Sequence, residues 1–533
     1  MPIILWGQEK NHFSFQTDSI QRQQTVMAHQ TIMNRGPYLD MATQGGINIH
    51  WRTNGNTPSV VRYGTSMANL SELKADSTPV KNHVITLSGL APNQKYYYSV
   101  GTFQQSYQGD ANNFFYTAPS VNATEKIRFW VTGDFGLAGP EQTAVAQSFL
   151  QFNANEKING WLWLGDNAYN SGTDAEYQSH IFSVFPHLLK NIPLFPALGN
   201  HDYGNHPYQS PQALGHNFPY FSIFQLPEFS GTEKYYSWNY ANVHFIALDS
   251  YGAFNYPGSP MYQWLLQDLA DKQAPWTVVY FHHPPYSKGT HDSDVEQELI
   301  DMRNNIVPLL EAYHVDLVLS GHSHIYERSY FMKGHTGTES NFNPALYPQG
   351  HIVQAGYGPF LKTSINPQGT LYVVNGSGSK KSGWMESGYP HSAMIRSIEN
   401  KTGSFLLTIE KDTLRGIFVQ SDGIIGDTFA IHRQSIIAPM EKSKQNNVLI
   451  FPNPSNHGFQ IVVENDFAEE SICSLVVKDL RGNEIYRQDK NLSAKNCFRH
   501  FIGKNELENK KGLYLIEIYQ NGQLLKSEKV ILE

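Results

Sequence analysis

Five short segments of this chain each end an apolar run in a cluster of metal-binding side chains. KIRFWVT leads into Gly133-Asp134-Phe135-Gly136, and GWLWL into Gly165-Asp166-Asn167-Ala168-Tyr169. IPLFPAL leads into Gly199-Asn200-His201-Asp202, WTVVYF into His282-His283-Pro284, and VDLVLS into Gly321-His322-Ser323-His324. A Gly-Asp pair after a strand is by itself an ordinary turn, and a lone His-X-His is a weak metal signal. Five such ends together are a different matter. Hard carboxylate and amide oxygens combined with imidazole nitrogens are the donors that divalent and trivalent first-row metals take. Glycine precedes the ligand in four of the five, which lets the backbone turn tightly and bring the side chain inward.

Positioning these groups requires a scaffold. Over residues 125–432 the apolar runs KIRFWVTG, GWLWLG, IPLFPALG, VHFIALD, APWTVVYF and VDLVLSG alternate with helix-like stretches such as QTAVAQSFLQFN and EQELIDMRNNIVPLLEAYH. Continuous apolar runs of this length fit strands covered on both faces, so an α/β layered domain is expected. In such sheets, sites form beyond the carboxyl ends of the strands, which gathers the five clusters at one edge.

The flanks read differently. Residues 1–34 read as a polar leader, and MPIILWGQEK resembles the tail of a signal-peptide core, an expectation that places the true start upstream; the alternative is a chance apolar N-terminus. Residues 35–119 carry short alternating strands (INIHWRT, SVVRYG, HVITLSGL, KYYYSVGT) separated by turns, as in a small β-sandwich. A linker covers 433–445, and 446–533 is again all β, with GLYLIEIY, Asn521-Gly522 and QLLKSEKVILE forming a hairpin signal.

Composition narrows the partners. Of 533 residues 40% are hydrophobic and 16% charged, which suits folded cores. The net charge of −8, without a basic run, argues against nucleic acid or an anionic membrane as the main partner. No apolar stretch reaches the ~18–20 residues needed to span a bilayer. The two cysteines, Cys473 and Cys497, are either paired after export or free thiols, and are too few for a cysteine zinc site.

In their order and spacing, GDFG, GDNAY, GNHD, VYFH and GHSH resemble the blocks of the purple acid phosphatases, within the calcineurin-like metallophosphoesterases. RGPYL and the strands after it resemble that family's N-terminal domain, and Leu90, Pro92, Tyr96 and Tyr98 resemble the tyrosine corner of fibronectin type III-like domains. The segment from VLIFPNPSNHGF to the last residue resembles the sorting domain that directs Bacteroidetes proteins to type IX secretion. The implied fold is an α-β-β-α metallophosphoesterase sandwich flanked by two all-β sandwich domains.

Most metallophosphoesterases open with Asp-X-His, and Gly136 stands in place of that histidine. In exchange Tyr169 follows Asp166 by three residues. The resemblance implies that Asp134, Asp166, Tyr169 and His324 hold Fe(III). Asp166 would bridge to a second metal (Zn, Fe, Mn or Mg), completed by Asn200, His282 and His322. It further implies a metal-bound hydroxide as nucleophile, His201 against the phosphate and His291 as general acid. Plant members often carry two adjacent histidines where this chain has His291-Asp292, which leaves Asp292 without an assigned role. His283 is expected to face away from the metals, and Asp202 to orient His201 or its loop. Tyr326 and Arg328 either reach the substrate or brace their loop.

The expected function is therefore a secreted or cell-surface acid phosphatase acting on small phosphate monoesters and exported by the type IX machinery. The alternatives are a phosphodiesterase or nucleotide pyrophosphatase on the same core, or a surface binding module with a degenerate site.

Overall fold

The computed structural model describes residues 31–349, 358–363, 367–382, 389–434, 447–451, 458–464, 471–479, 482–492, 497–507 and 511–532. The first thirty residues of the expected leader and nearly all of the expected linker lie outside these. The leader's last two residues already belong to strand β1 (Met33–Asp40), and the strand Ile425–Gln434 runs two residues into the expected linker.

Two sheets form the centre of the molecule. The strands that position the site are β5 (Ile127–Thr132), β6 (Gly160–Trp163), β7 (Leu194–Pro196), β8 (Val243–Ala247), β9 (Trp276–Tyr280), β10 (Leu317–Ser320) and β11 (Leu371–Asn375). The N-terminal sandwich contributes β1, β2 (Ile47–Gly64), β3 (Glu72–Leu87) and β4 (Lys95–Gly101), and β12 spans Gly403–Glu410. A seven-stranded sheet contains β8-β9-β10-β11 as parallel neighbours. In a thirteen-stranded sheet β12, β5, β6, β7, β1, β2 and β4 lie side by side. The N-terminal sandwich, read from sequence as a separate unit, is thus continuous with the catalytic sheet. The join is a single parallel pair, Asp40 with Leu194.

Side-chain alternation explains the layering. Phe245, Val278 and Leu317 enter the core between the two sheets, together with Phe129 and Trp238. Their neighbours Ile246, Val279 and Val318 face the other way, onto Leu265 and Leu269 of a helix (Pro260–Asp271) and onto Ile306 and Leu310. On the opposite side Trp130 stacks on Phe149 of the helix Pro140–Asn153 at 4.7 Å. This is the expected α-β-β-α order. The helix read over EQELIDMRNNIVPLLEAYH is three pieces, Gln297–Asp301, a π-helical turn Met302–Ile306, and Val307–Ala312.

The flanking domains also match their expected type. Tyr96 accepts a hydrogen bond on its hydroxyl from Ala91 N at 3.0 Å, the upstream backbone contact of a tyrosine corner. At the other end a three-stranded and a four-stranded sheet enclose their own core. The hairpin turns at Asn521 and Gly522 with φ of +48° and +82°, as a two-residue turn of the primed type requires. Cys473 is a free, buried thiol, and the Cys497 side chain lies outside the described residues. No described helix is long and apolar enough to cross a membrane.

One buried group ties this fold to acid. The Glu311 carboxyl accepts from Tyr372 OH at 2.9 Å and from Gly334 N at 2.7 Å, and burial pushes its pKa up to about 7. Ionisation is favoured in the unfolded chain from about pH 4.5 but in the folded chain only near 7. Unfolding therefore releases a proton across that window, and stability falls as pH rises through it. The wild type should lose roughly 3 kcal/mol between those limits relative to Glu311→Gln. Chemical denaturation at several pH values would read this as a steeper slope in the wild type.

Candidate metal centre

The site sits where β5, β6, β7, β9 and β10 end. Three of its residues are held in the left-handed region, Asp134 and Asp166 both at φ +54° and His322 at +66°. Non-glycine residues adopt this backbone rarely, and it clusters where a site is over-determined by its surroundings. The glycines in the motifs permit close approach. A Cβ on Gly199 would lie 2.3 Å from Asp166 Oδ1, and one on Gly321 would lie 2.6 Å from Asp134 Oδ2. Gly136 explains the exchange seen in the sequence. Any side chain there would meet the backbone of Asn167 at 2.4 Å, whereas glycine lets Tyr169 N donate to Gly136 O at 3.0 Å. The loop that carries the tyrosine thus occupies the space a histidine would fill.

The donors converge. Tyr169 OH lies 2.8 Å from Asp134 Oδ1, 2.9 Å from Asp166 Oδ2 and 3.4 Å from His324 Nε2. His324 Nε2 is in turn 3.5 Å from Asp134 Oδ1. On the other side of Asp166, His282 Nε2 stands 3.3 Å from Oδ2. His282 Nδ1 donates to Leu164 O at 2.9 Å, so its Nε2 lone pair is the one presented to the site. His322 N donates to Asp134 Oδ2 at 2.8 Å, and its ring lies 5.1 Å from that of His282. Asn200, on the loop after β7, buries its Oδ1 without a hydrogen-bond partner among the described residues.

These features fit a pair of metal ions. Buried polar atoms without partners are costly, and both His282 Nε2 and Asn200 Oδ1 lack a hydrogen-bond partner among the described residues. Asp134, Asp166 and His282 offer ligand atoms within 4.8 Å of one another. The electrostatics agree. Burial alone would lower the pKa of His282, but Asp166 and Asp134 outweigh it and raise it to about 9. Burial, with the charges of Asp134 and Asp166, holds the Tyr169 phenol well above its ordinary range. Burial and the neighbouring His291 hold His322 well below its range, as a neutral nitrogen donor. The pocket is short of positive charge at its centre.

The two expected catalytic histidines border this cluster. His201 packs its ring 4.4 Å from Tyr169, with Nε2 3.7 Å from Asp166 Oδ2 and Nδ1 bonded to Asn170 O at 2.6 Å. The His291 ring lies tilted against that of His322, 3.7 Å between centroids. Its Nδ1 pairs with Glu296 at 2.9 Å, and Glu296 also lies 3.3 Å from His322 Nε2. Glu296 went unread in the sequence because no motif contains it; its one signal is a carboxylate in the loop that carries His291. His283 does not simply face away. Its Nδ1 meets Ser250 Oγ at 2.9 Å while its ring lies 4.3 Å from His322, so it supports the ligand's outer side.

Other residues prove to be braces. Asp292 accepts from Lys288 Nζ at 3.0 Å and caps its own loop. Tyr326 and Arg328 both bond Asp427 of the other sheet, at 2.8 and 2.6 Å, and so tie the two sheets together. Asp202 accepts from Gly199 N, Asn167 N and Tyr177 OH, which joins the loops after β6 and β7.

Tyr177 ends the short helix Asp174–Tyr177, and the N-terminal sandwich grips the start of that helix. Arg35 and Arg52, from β1 and β2, both bond the Asp174 carboxylate, the latter through two nitrogens at 2.5 Å. Glu176, in a capping box with Thr173, accepts from Asn170 N and Ser171 N, immediately after Tyr169. This one short helix therefore links the sandwich, through Asp174, to the tyrosine loop, through Glu176.

Three stretches of the chain match known families. Residues 127–326 match the calcineurin-like phosphoesterase family, 36–117 the purple acid phosphatase N-terminal domain, and 449–533 the secretion system C-terminal sorting domain. Purple acid phosphatase 18 of Arabidopsis thaliana is 30% identical over 55% of this chain, and this chain spans 65% of it, just under two thirds of its length. Probable purple acid phosphatase 20 of the same plant is also 30% identical, over 55% of this chain and 68% of its own length. A phosphoenolpyruvate phosphatase of Allium cepa is 26% identical over 66% of this chain and 71% of its own. The solved structure of a purple acid phosphatase from yellow lupin (Lupinus luteus) seeds superposes with a TM-score of 0.59 at 18% identity. It covers 76% of this chain and 77% of that one, a likeness of fold.

Asp174→Asn should leave two guanidinium groups without a counter-charge. Because Asp174 is 41% exposed, the loss is discounted for solvent screening to about 1–2 kcal/mol, measurable as a lowered Tm of the full chain.

Proposed function

The chain belongs to the purple acid phosphatases, and we propose that it is an exported, dinuclear metallohydrolase that cleaves phosphate monoesters in acid. The observation that carries this reading is Tyr169 between two carboxylates, with glycine at 136 making room for it. A phenolate is a hard anionic donor, suited to a trivalent ion. Asp134, Asp166, Tyr169 and His324 would hold that ion, and Asn200, His282 and His322, with Asp166 in common, would hold a divalent one. When bound, such a pair supplies Lewis acidity, which lowers the pKa of an attacking water and neutralises the phosphoryl oxygens.

This chain's own residues do the rest. His201 hydrogen-bonds a phosphoryl oxygen from beside the shared carboxylate and orients the ester. His291 gives its proton to the leaving oxygen as the P–O bond breaks. Glu296 accepts at His291 Nδ1, which leaves Nε2 as the nitrogen that delivers the proton. Histidine is well matched to this step because it is protonated under mildly acidic conditions. The match of residues 449–533 to a secretion sorting domain supports export through the type IX route to the cell surface or beyond.

Hydrolysis of an aryl phosphate monoester should exceed that of the matching diester and be faster near about pH 5 than near about pH 8. Asn200→Ala should lower kcat/KM about 100-fold or more. A diester preference would reassign the protein as a phosphodiesterase, and activity indifferent to Asn200→Ala would remove the site from the reaction. The iron-loaded protein should also show a visible absorption band that Tyr169→Phe abolishes. A colourless, fully loaded protein would mean a divalent pair instead.

A further inference from the structure

The loop after β11 reaches the metal centre from a side that none of the five motifs covers. Its sequence, Gly376-Ser377-Gly378-Ser379-Lys380-Lys381, is stitched onto the Asp134 loop. Gly378 N donates to Gly133 O at 3.1 Å, and Ser379 Oγ donates to Asp134 O and accepts from Leu137 N at 3.3 Å. A Cβ on Gly376 would come within 2.9 Å of Asp134 Oδ2. Lys381 Nζ is tied to Glu141 at 2.5 Å. Lys380 is thereby bracketed by two anchored neighbours, and its Nζ stands 3.7 Å from the centroid of the Tyr169 ring. No carboxylate among the described residues pairs with it.

We propose that Lys380 is a positioning cation of this metal centre. Its ammonium, held on the face of the tyrosine ligand, draws electron density from the ring and places positive charge beside the phosphate. The inference rests on the reading of Tyr169 as the Fe(III) ligand. An ammonium on an aromatic face is attracted to the ring's π density, and more so once the phenol has become a phenolate. It lowers the energy of the filled ring orbitals, so moving an electron from phenolate to metal takes more energy. Weaker donation leaves the metal a stronger Lewis acid, an outer-shell tuning of the kind ligand partners commonly exert. The same charge lies within a ring's breadth of the phenolic oxygen, where it attracts a dianionic phosphate. Lysine in this position therefore acts on both the metal and the substrate without binding the metal itself.

The test compares the iron-loaded full chain with Lys380→Gln and Lys380→Arg by visible absorption and by inhibition with inorganic phosphate. Lys380→Gln should move the band to longer wavelength and raise the phosphate inhibition constant about three- to tenfold. Lys380→Arg should stay near the wild type in both. A band unmoved in Lys380→Gln overturns the inference, whatever the phosphate inhibition. A wild type with no band overturns the Tyr169 assignment and the inference with it. That result is read from the wild type alone, so the two failures are told apart. Thermal unfolding of each variant checks that only the charge has changed.

Discussion

Asp134, Tyr169 and Asp166 meet in one buried spot, and the rest of the molecule is arranged to keep them there. Two carboxylates cannot be buried side by side without compensation. Here a phenol hydrogen is shared between them and a histidine closes each flank. The arrangement is poised for cations: the proton that now satisfies the acids is the one a strong Lewis acid would displace.

Holding that spot takes strain and bracing. Asp134, Asp166 and the neighbouring His322 adopt a left-handed backbone, a strain that the surrounding contacts must hold. Asp202 joins two of the loops through backbone N–H groups, and the Arg35 and Arg52 grip on Asp174 extends the support into the N-terminal sandwich. A domain with no chemistry of its own thus helps position the tyrosine loop. Asp427 does similar work just after His324, holding Tyr326 and Arg328 across the two sheets.

The site's outer shell departs from the plain reading of the motifs. His283 alternates with His282 along the chain, which predicts that it points away. Its ring nevertheless rests beside His322, because the strand has ended and the chain turns before alternation can continue. Glu296 and Lys380 arrive from loops whose sequences contain no repeated signature. Glu296 meets both His291 and His322, and Lys380 stands on the face of the Tyr169 ring.

The sequence alone determined the layered α/β core, both flanking β domains and the five strand ends that present Asp, Asn, His and Tyr to one edge. Those depend on local rules, apolar runs for buried strands, glycine where the backbone must come close, and hard donors at strand ends. The exchange of Gly136 and Tyr169 was legible only against the family the motifs resemble, and its reason, backbone of the tyrosine loop filling the space beside residue 136, is structural. Only the tertiary structure decided that the N-terminal sandwich shares a sheet with the catalytic strands, through Asp40 and Leu194. It also decided which of the remaining polar residues border the donor cluster and which brace the loops. Such choices rest on contacts between residues far apart in the chain, and no local pattern of side chains records them.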